Sequence, residues 1–179
     1  MAELWDLLDG ERNLTGKTLE RGKPIPEGYY HIVVDIWTML PDGRILLTKR
    51  HPDKKGFPGM WEGTAGSVVA GESSLQGAIR ELGEETGLHA EPERLTLLAS
   101  EQTECDFLDS YLYRCPEREP KLTLQPEEVV DYTFITLGGM DGWKEKITPP
   151  AWRHFLRDRE KLKDAAKGRI LAASLDKTE

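Results

Sequence analysis

Glu81, Glu84 and Glu85 stand three and four residues apart in the run Arg80-Glu81-Leu82-Gly83-Glu84-Glu85. On a helix those spacings place side chains on one face, so three carboxylates share a small patch. Like charges this close repel and raise one another's pKa values, and the patch needs a compensating positive charge. Arg80, four residues before Glu84, supplies one, but a single guanidinium does not neutralise three acids plus the upstream Glu72. A divalent cation does. Oxygen ligands without His or Cys favour a hard ion, Mg²⁺ or Mn²⁺, and Mg²⁺ in such sites keeps waters and bridges to substrate phosphates.

The element that must position these acids is a short amphipathic helix. Leu75, Ala78, Ile79 and Leu82 recur at i, i+3, i+4, i+7 and form one apolar stripe, with the acids beside it. Ser73 followed by Gln76 has the form of a capping box, and Gly87 suits a left-handed C-terminal cap.

The whole stretch Gly66 to Leu88, GSVVAGESSLQGAIRELGEETGL, resembles the Nudix box. Gly66, Glu72, Arg80, Glu81, Leu82, Glu84, Glu85, Gly87 and Leu88 fill every specified position. At ordinary residue frequencies a chance match in a chain this long is on the order of one in a million, which sets aside an ordinary solvated acidic helix face. The resemblance implies an α/β fold, a Nudix-type α/β/α sandwich with a mixed β-sheet. It implies Mg²⁺ as cofactor, with Mn²⁺ as a substitute, held by Glu81, Glu84, Glu85 and the Gly66 carbonyl. Arg80 would orient the glutamates, and Glu72 either ligates or pairs with Arg80. The implied reaction is attack of water on phosphorus in a nucleoside diphosphate derivative or similar organic diphosphate. For the general base, Gln125-Pro126-Glu127-Glu128 resembles a Gln-Pro-x-Glu loop of mutation-avoidance Nudix hydrolases and favours Glu128, with Glu101 and Glu104 as alternatives.

Around the box, residues 3–9 and LTGKTLERG predict an N-terminal hairpin, and Pro24, Pro26 and Gly28 mark a linker. Residues 1–28 are thus expected as an appended hairpin and linker, and 29–179 as the main domain. Tyr29 to Leu40 and Arg44 to Arg50 predict a strand hairpin about the turn Pro41-Asp42-Gly43; His31 within it suits a structural role. Residues 51–60 form an irregular loop of the kind that carries binding residues. At its entrance Lys49 and Arg50 are the positive charges best placed to meet a diphosphate, a solvated face being the other reading. Trp61 either stacks on a base or packs the core, and Trp61 to Val68 predict one strand. Leu95 to Thr103, Phe107 to Arg114 and Val129 to Thr136 predict three more. From Pro150 a helix follows with Trp152, Phe155, Leu156 and Leu162 as its apolar stripe.

Net charge −8 over 179 residues argues against an extended basic surface for duplex nucleic acid. No window approaches the length of a membrane span, and the start lacks a signal-peptide pattern, so a cytoplasmic protein is expected; a homodimer is left open. Cys105 and Cys115 have neither metal-site spacing nor enough company for a disulfide framework. The hairpin ahead of YYHIVVDIW also resembles the subgroup of Nudix proteins similar to isopentenyl diphosphate isomerase. That subgroup uses a cysteine on the strand before the box, where this chain has Glu62-Gly63-Thr64-Ala65-Gly66. Hydrolysis is therefore the leading reading, isomerisation the alternative, and a non-catalytic nucleotide sensor the third.

Overall fold

The structure is a computed structural model that describes residues 2–168. Residues 169–179, which the sequence assigns to the main domain, lie outside the described residues. Strands β1 (Leu4–Leu8) and β2 (Leu14–Glu20) pair antiparallel in a small sheet of their own, the hairpin the sequence predicts. There follow β3 (His31–Met39), β4 (Arg44–Arg50), β5 (Trp61–Glu62) and β6 (Thr64–Ser67), then helix α1 (Ser74–Thr86). Strands β7 (Leu95–Gln102), β8 (Asp106–Arg114) and β9 (Val129–Thr136) lead to helix α2 (Pro149–Ala166).

Strands β3 to β9 form one mixed sheet ordered β5-β4-β3-β8-β7, with β6 also paired to β3 and β9 to β4. Strand β3 runs parallel to β8 over nine residue pairs and antiparallel to β4 and β6. It is central and covered on both sides, hence its near-continuous apolar run. Val34 and Ile36 enter the core with Ala78 and Leu82 of α1, whereas Trp37 and Met39 enter a second core with Phe155 and Leu162 of α2. The sheet thus lies between helices, as expected. Among the described residues no helix is long and apolar enough to cross a membrane.

Two local expectations are corrected. The stretch from Trp61 to Val68 is two strands broken at Gly63, because β5 pairs with β4 while β6 pairs with β3 and the sheet splits between them. In α2, Leu156 is 51% exposed, and the buried line runs through Phe155, Asp158 and Leu162 instead. Sequence patterning excludes an Asp from a core. Here Arg157 pairs with Asp158 at 2.8 Å, while Ser110 Oγ and Trp37 Nε1 donate to it at 2.6 and 3.2 Å, so its charge is both paired and hydrogen-bonded.

The N-terminal hairpin docks through a similar device. Arg12 in the β1–β2 turn forks onto both carboxylate oxygens of Asp109, which is buried on β8 and also accepts from Ser100 Oγ at 2.7 Å and from Ser74 Oγ. Trp5 stacks on His31 with ring centroids 4.2 Å apart, so His31 has the structural setting its strand position suggests. Burial raises the Asp109 carboxyl, but hydrogen bonds from Arg12, Ser74 and Ser100 outweigh it and hold it below the usual range. A depressed carboxylate contributes stability that is complete above its unfolded pKa and is lost as pH falls through the folded value. Asp109→Asn is therefore expected to cost about 1.5–3 kcal/mol at neutral pH and to lose less further stability on acidification than the parent. Urea denaturation at about pH 7 and about pH 4 checks both; parallel losses in the two proteins would contradict it.

Candidate active site

Helix α1 has the caps its sequence predicts. Ser73 accepts from the Gln76 backbone and Gln76 reaches back to Ser73, while Gly87 closes the helix at φ 73°. Leu82 is fully buried and Leu75 and Ile79 pack on the same core, which fixes the roll of the helix and turns Glu81 and Glu85 toward the strands. Gly77 lets the helix approach, since a Cβ there would come within 2.8 Å of Val68. Gly66 on β6 does the same for the acids: a Cβ would land 2.0–2.4 Å from the carboxyl atoms of Glu81. A glycine is needed there so that carboxylate and backbone can share the space.

Arg80 organises the patch. Its guanidinium donates to Glu72 at 2.9 Å, Glu81 at 2.9 Å, Glu84 at 3.0 Å and the Ser67 carbonyl at 2.9 Å. Burial opposes its charge, but the hydrogen bonds to Glu72 and Glu81 and their charges more than compensate and raise its pKa. Glu72 thus pairs with Arg80, as Glu81 and Glu84 do.

These acids open onto a cavity of about 280 Å³ lined by Glu81, Glu84, Glu85 and Glu128 together with Arg50, Lys54, Arg80 and Gly66. Burial pushes the Glu85 carboxyl well above the usual range, and Glu62, Glu81 and Glu128 add to the effect. Glu81 is raised by burial too, against the pull of Arg80. The Gln125–Glu128 turn is pinned by the His51 amide donating to the Glu128 carbonyl at 2.8 Å, and the Glu128 carboxylate pairs with Lys54. A bulge between Lys49 and Arg50, where β4 pairs β9, helps aim Arg50 into this space, and Arg50 also pairs with Glu62.

The structure therefore brings together Gly66, Arg80, Glu81, Glu84, Glu85, Glu128 and Arg50. It does not bring Lys49 or Trp61. Both point to the opposite face by strand alternation: Trp61 packs edge-on against Trp143 and the α2 core, and Lys49 lies 5.8 Å over the Trp61 ring. These two substrate-binding candidates therefore lie away from the acidic cavity. Glu101 pairs with Arg157 and Glu104 is exposed in the β7–β8 turn, so neither alternative base lines the cavity. Sequence reasoning missed Lys54, Glu62, and the hairpin residues Glu3 and Arg21, which also line or flank the cavity. Lys54 had a signal, its place four residues after Arg50 in the binding-type loop; the hairpin pair had none.

The donors suit a hard divalent cation. They are all oxygen, and the missing Cβ of Gly66 leaves the space that the Glu81 carboxyl occupies beside the β6 backbone. As the side chains stand, no three His, Cys, Asp or Glu among the described residues are gathered closely enough to hold an ion. Arg80 draws Glu81 and Glu84 to itself, so side-chain rotation would have to accompany binding.

Cys105 is exposed in the β7–β8 turn and Cys115 is buried in the α1-face core; neither lines the cavity. In keeping with this, the likeness to the isomerase subgroup is distant: the isopentenyl-diphosphate Delta-isomerase of Cutibacterium acnes is 25% identical over 128 residues, 64% of this chain and 61% of that protein. An uncharacterized Nudix hydrolase of Listeria monocytogenes is 38% identical over 135 residues, covering 75% of this chain and 80% of its own length. The crystal structure of DR0079 from Deinococcus radiodurans shares the fold with a TM-score of 0.73, covering 87% of this chain and 99% of that one at 19% identity. The NUDIX domain model matches residues 29–158, which include the box, the cavity-lining strands and most of α2. The chain accordingly belongs to the NUDIX domain family and is a Nudix hydrolase.

Proposed function

We propose that the chain hydrolyses the diphosphate linkage of a nucleoside diphosphate derivative or similar organic diphosphate, by attack of water on phosphorus, with Mg²⁺ or Mn²⁺ as cofactor. The observation that carries this is the interleaving of acids and bases around one cavity, which suits a cation and a polyanion together better than either alone. Glu81, Glu84, Glu85 and the Gly66 carbonyl would hold the ion, which when bound screens the diphosphate oxygens and lowers the pKa of water. Arg80 holds Glu81 and Glu84 in place between turnovers. Arg50 and Lys54 meet the diphosphate oxygens, as charge-assisted donors on one rim. Glu128, beside Lys54 and across the cavity from α1, accepts the proton of the attacking water as its oxygen bonds to phosphorus and the bridging P–O bond breaks, releasing two phosphorylated halves. We take residues 1–28 as an appended element that adds Glu3 and Arg21 to the wall.

The test is a phosphate-release screen over nucleoside triphosphates, dinucleotides, nucleotide sugars and isoprenoid diphosphates. Products should form with Mg²⁺, stop in excess EDTA and return when Mg²⁺ is restored. Full turnover in chelator, or no product from any substrate, overturns the reading; the second result would favour a nucleotide sensor.

Isomerisation makes a different demand, because moving a proton on carbon in that subgroup depends on a thiol. The Cys105→Ala, Cys115→Ala double variant is therefore expected to hydrolyse its substrate much as the parent does, after a stability loss of about 1 kcal/mol from the buried position. A folded but inactive double variant, with a parent that converts isopentenyl diphosphate without releasing phosphate, would replace hydrolysis by isomerisation.

A further inference from the structure

Strand β5 is two residues long, and its two side chains go opposite ways. Trp61 turns to the α2 side, edge-on to Trp143 with ring centroids 5.2 Å apart, and its carbonyl accepts from the Thr148 amide at 2.9 Å. With Trp61 anchored there, alternation presents Glu62 on the other face. Thr48 stands opposite Glu62 across the β4–β5 ladder, and Arg50, two residues further along β4, shares that face. The Glu62 carboxylate accepts from Nη1 of Arg50, while Arg50 Nε donates to the Gly56 carbonyl at 2.9 Å. The Arg50 amide closes the same loop by donating to the Met60 carbonyl at 2.9 Å. The side chains of Glu62 and Arg50 are only 18% and 21% exposed, so the pair is largely shielded from water and holds more firmly than a surface pair.

We infer that Glu62 is a positioning residue: it holds the Arg50 guanidinium in the one orientation that offers Nη2 to a substrate phosphate in the acidic cavity. The inference rests on the proposed hydrolase reading for the role of Arg50. A guanidinium carries its five N–H donors in a fixed plane, so anchors on Nε and Nη1 set that plane completely. Nη2 donates to no group among the described residues, and Arg50 lines the acidic cavity. Glu62 itself does not line that cavity; it reaches the phosphate site only through Arg50. The anchor matters because Glu85 and Glu128 line the cavity too. A guanidinium released from Glu62 turns to those carboxylates, as Arg80 does to Glu81 and Glu84, and meets the phosphate less often. The Trp61-Glu62 pair thus acts as a unit, one side chain fixing the strand in the α2 core and the other aiming the cation.

A double-variant cycle of Glu62→Gln and Arg50→Met in the full chain with Mg²⁺ tests this, each variant first shown to keep a cooperative melt. The binding probe is methylenediphosphonate, a diphosphate analogue whose P–C–P bridge resists hydrolysis, titrated by calorimetry. Glu62→Gln is expected to weaken its binding about tenfold, the usual effect of losing a hydrogen bond to a charged group. With a cleaved substrate, KM should rise by a similar factor and kcat change less than about threefold, because aim is lost and not chemistry. In the Arg50→Met background, Glu62→Gln should weaken binding no further, since no guanidinium remains to be aimed; a residue that merely supports the fold would cost the same in both backgrounds. If Arg50→Met does not fold, Arg50→Lys takes its place, where an ammonium has no plane to set and Glu62→Gln should cost less than about threefold. Unchanged binding in folded Glu62→Gln, equal losses in both backgrounds, or a fall in kcat with KM held overturns the assignment. Coupled loss of probe binding in a chain that cleaves no diphosphate supports the role of Glu62 while refuting the hydrolase reading, and cleavage without the coupling refutes the role of Glu62 alone.

Discussion

Glu85→Gln is expected to reduce hydrolysis to background while the protein keeps its fold. Glu85 lies on the last turn of α1, at the meeting point of Glu62, Glu81 and Glu128, and its carboxyl is pushed up by burial and by these neighbours. Such a group is electrostatically unfavourable without a cation and is the one that gains most when a cation arrives. An amide of nearly the same shape removes the repulsion, so the metal-free variant should melt no lower than the parent. It also removes a hard anionic ligand, so the rise in melting temperature expected of the parent with Mg²⁺ should be lost. Phosphate release and thermal melting with and without Mg²⁺ check the two halves separately. A variant that turns over at the parent rate in modest Mg²⁺ would contradict the ligand assignment.

Glu128→Gln should lower turnover by roughly 10²- to 10⁴-fold, the usual size of a lost general base, with little change in the Mg²⁺ effect on melting. The separation follows from position: Glu128 belongs to the turn beyond β8, across the cavity from α1, and its present partner is Lys54 and not Arg80. Because that ion pair is also lost, Lys54→Met is the needed comparison. If Lys54 meets the diphosphate, its loss raises KM more than it lowers kcat, whereas loss of the base lowers kcat with KM nearly held. Equal effects of the two variants on kcat would mean that the pair, and not the Glu128 carboxylate, carries the step.

What was legible along the chain is what short-range geometry governs. Ser73, Gln76 and Gly87 bound α1 as the sequence implies, since caps are satisfied by backbone groups within four residues. The stripe from Leu75 to Leu82 and the trio Glu81, Glu84 and Glu85 follow from one helical period. Arg44–Arg50 and Val129–Thr136 form strands over the residues predicted, because alternation and bounding turns are local as well.

Distant packing decided the rest. Lys49 and Arg50 are adjacent cations with no difference in sequence, yet strand alternation sends Arg50 to the α1 face and Lys49 to the α2 face over Trp61, and only the strand's place in the sheet says which face holds the acids. Glu128 was one of three candidate bases; the pairing of β9 with β4 sets it opposite Glu85, while Glu101 on β7 is carried to Arg157. Nothing in the sequence marks Asp158 or Asp35 as interior acids, yet both are buried where α2 lies across the sheet. The composition of the box is what points to a cation and phosphates, because that chemistry needs several oxygens within one helical turn. Which side chains complete the cavity depends on residues more than a hundred positions apart, such as Glu3 and Glu128, whose meeting is set by sheet order and not by spacing along the chain.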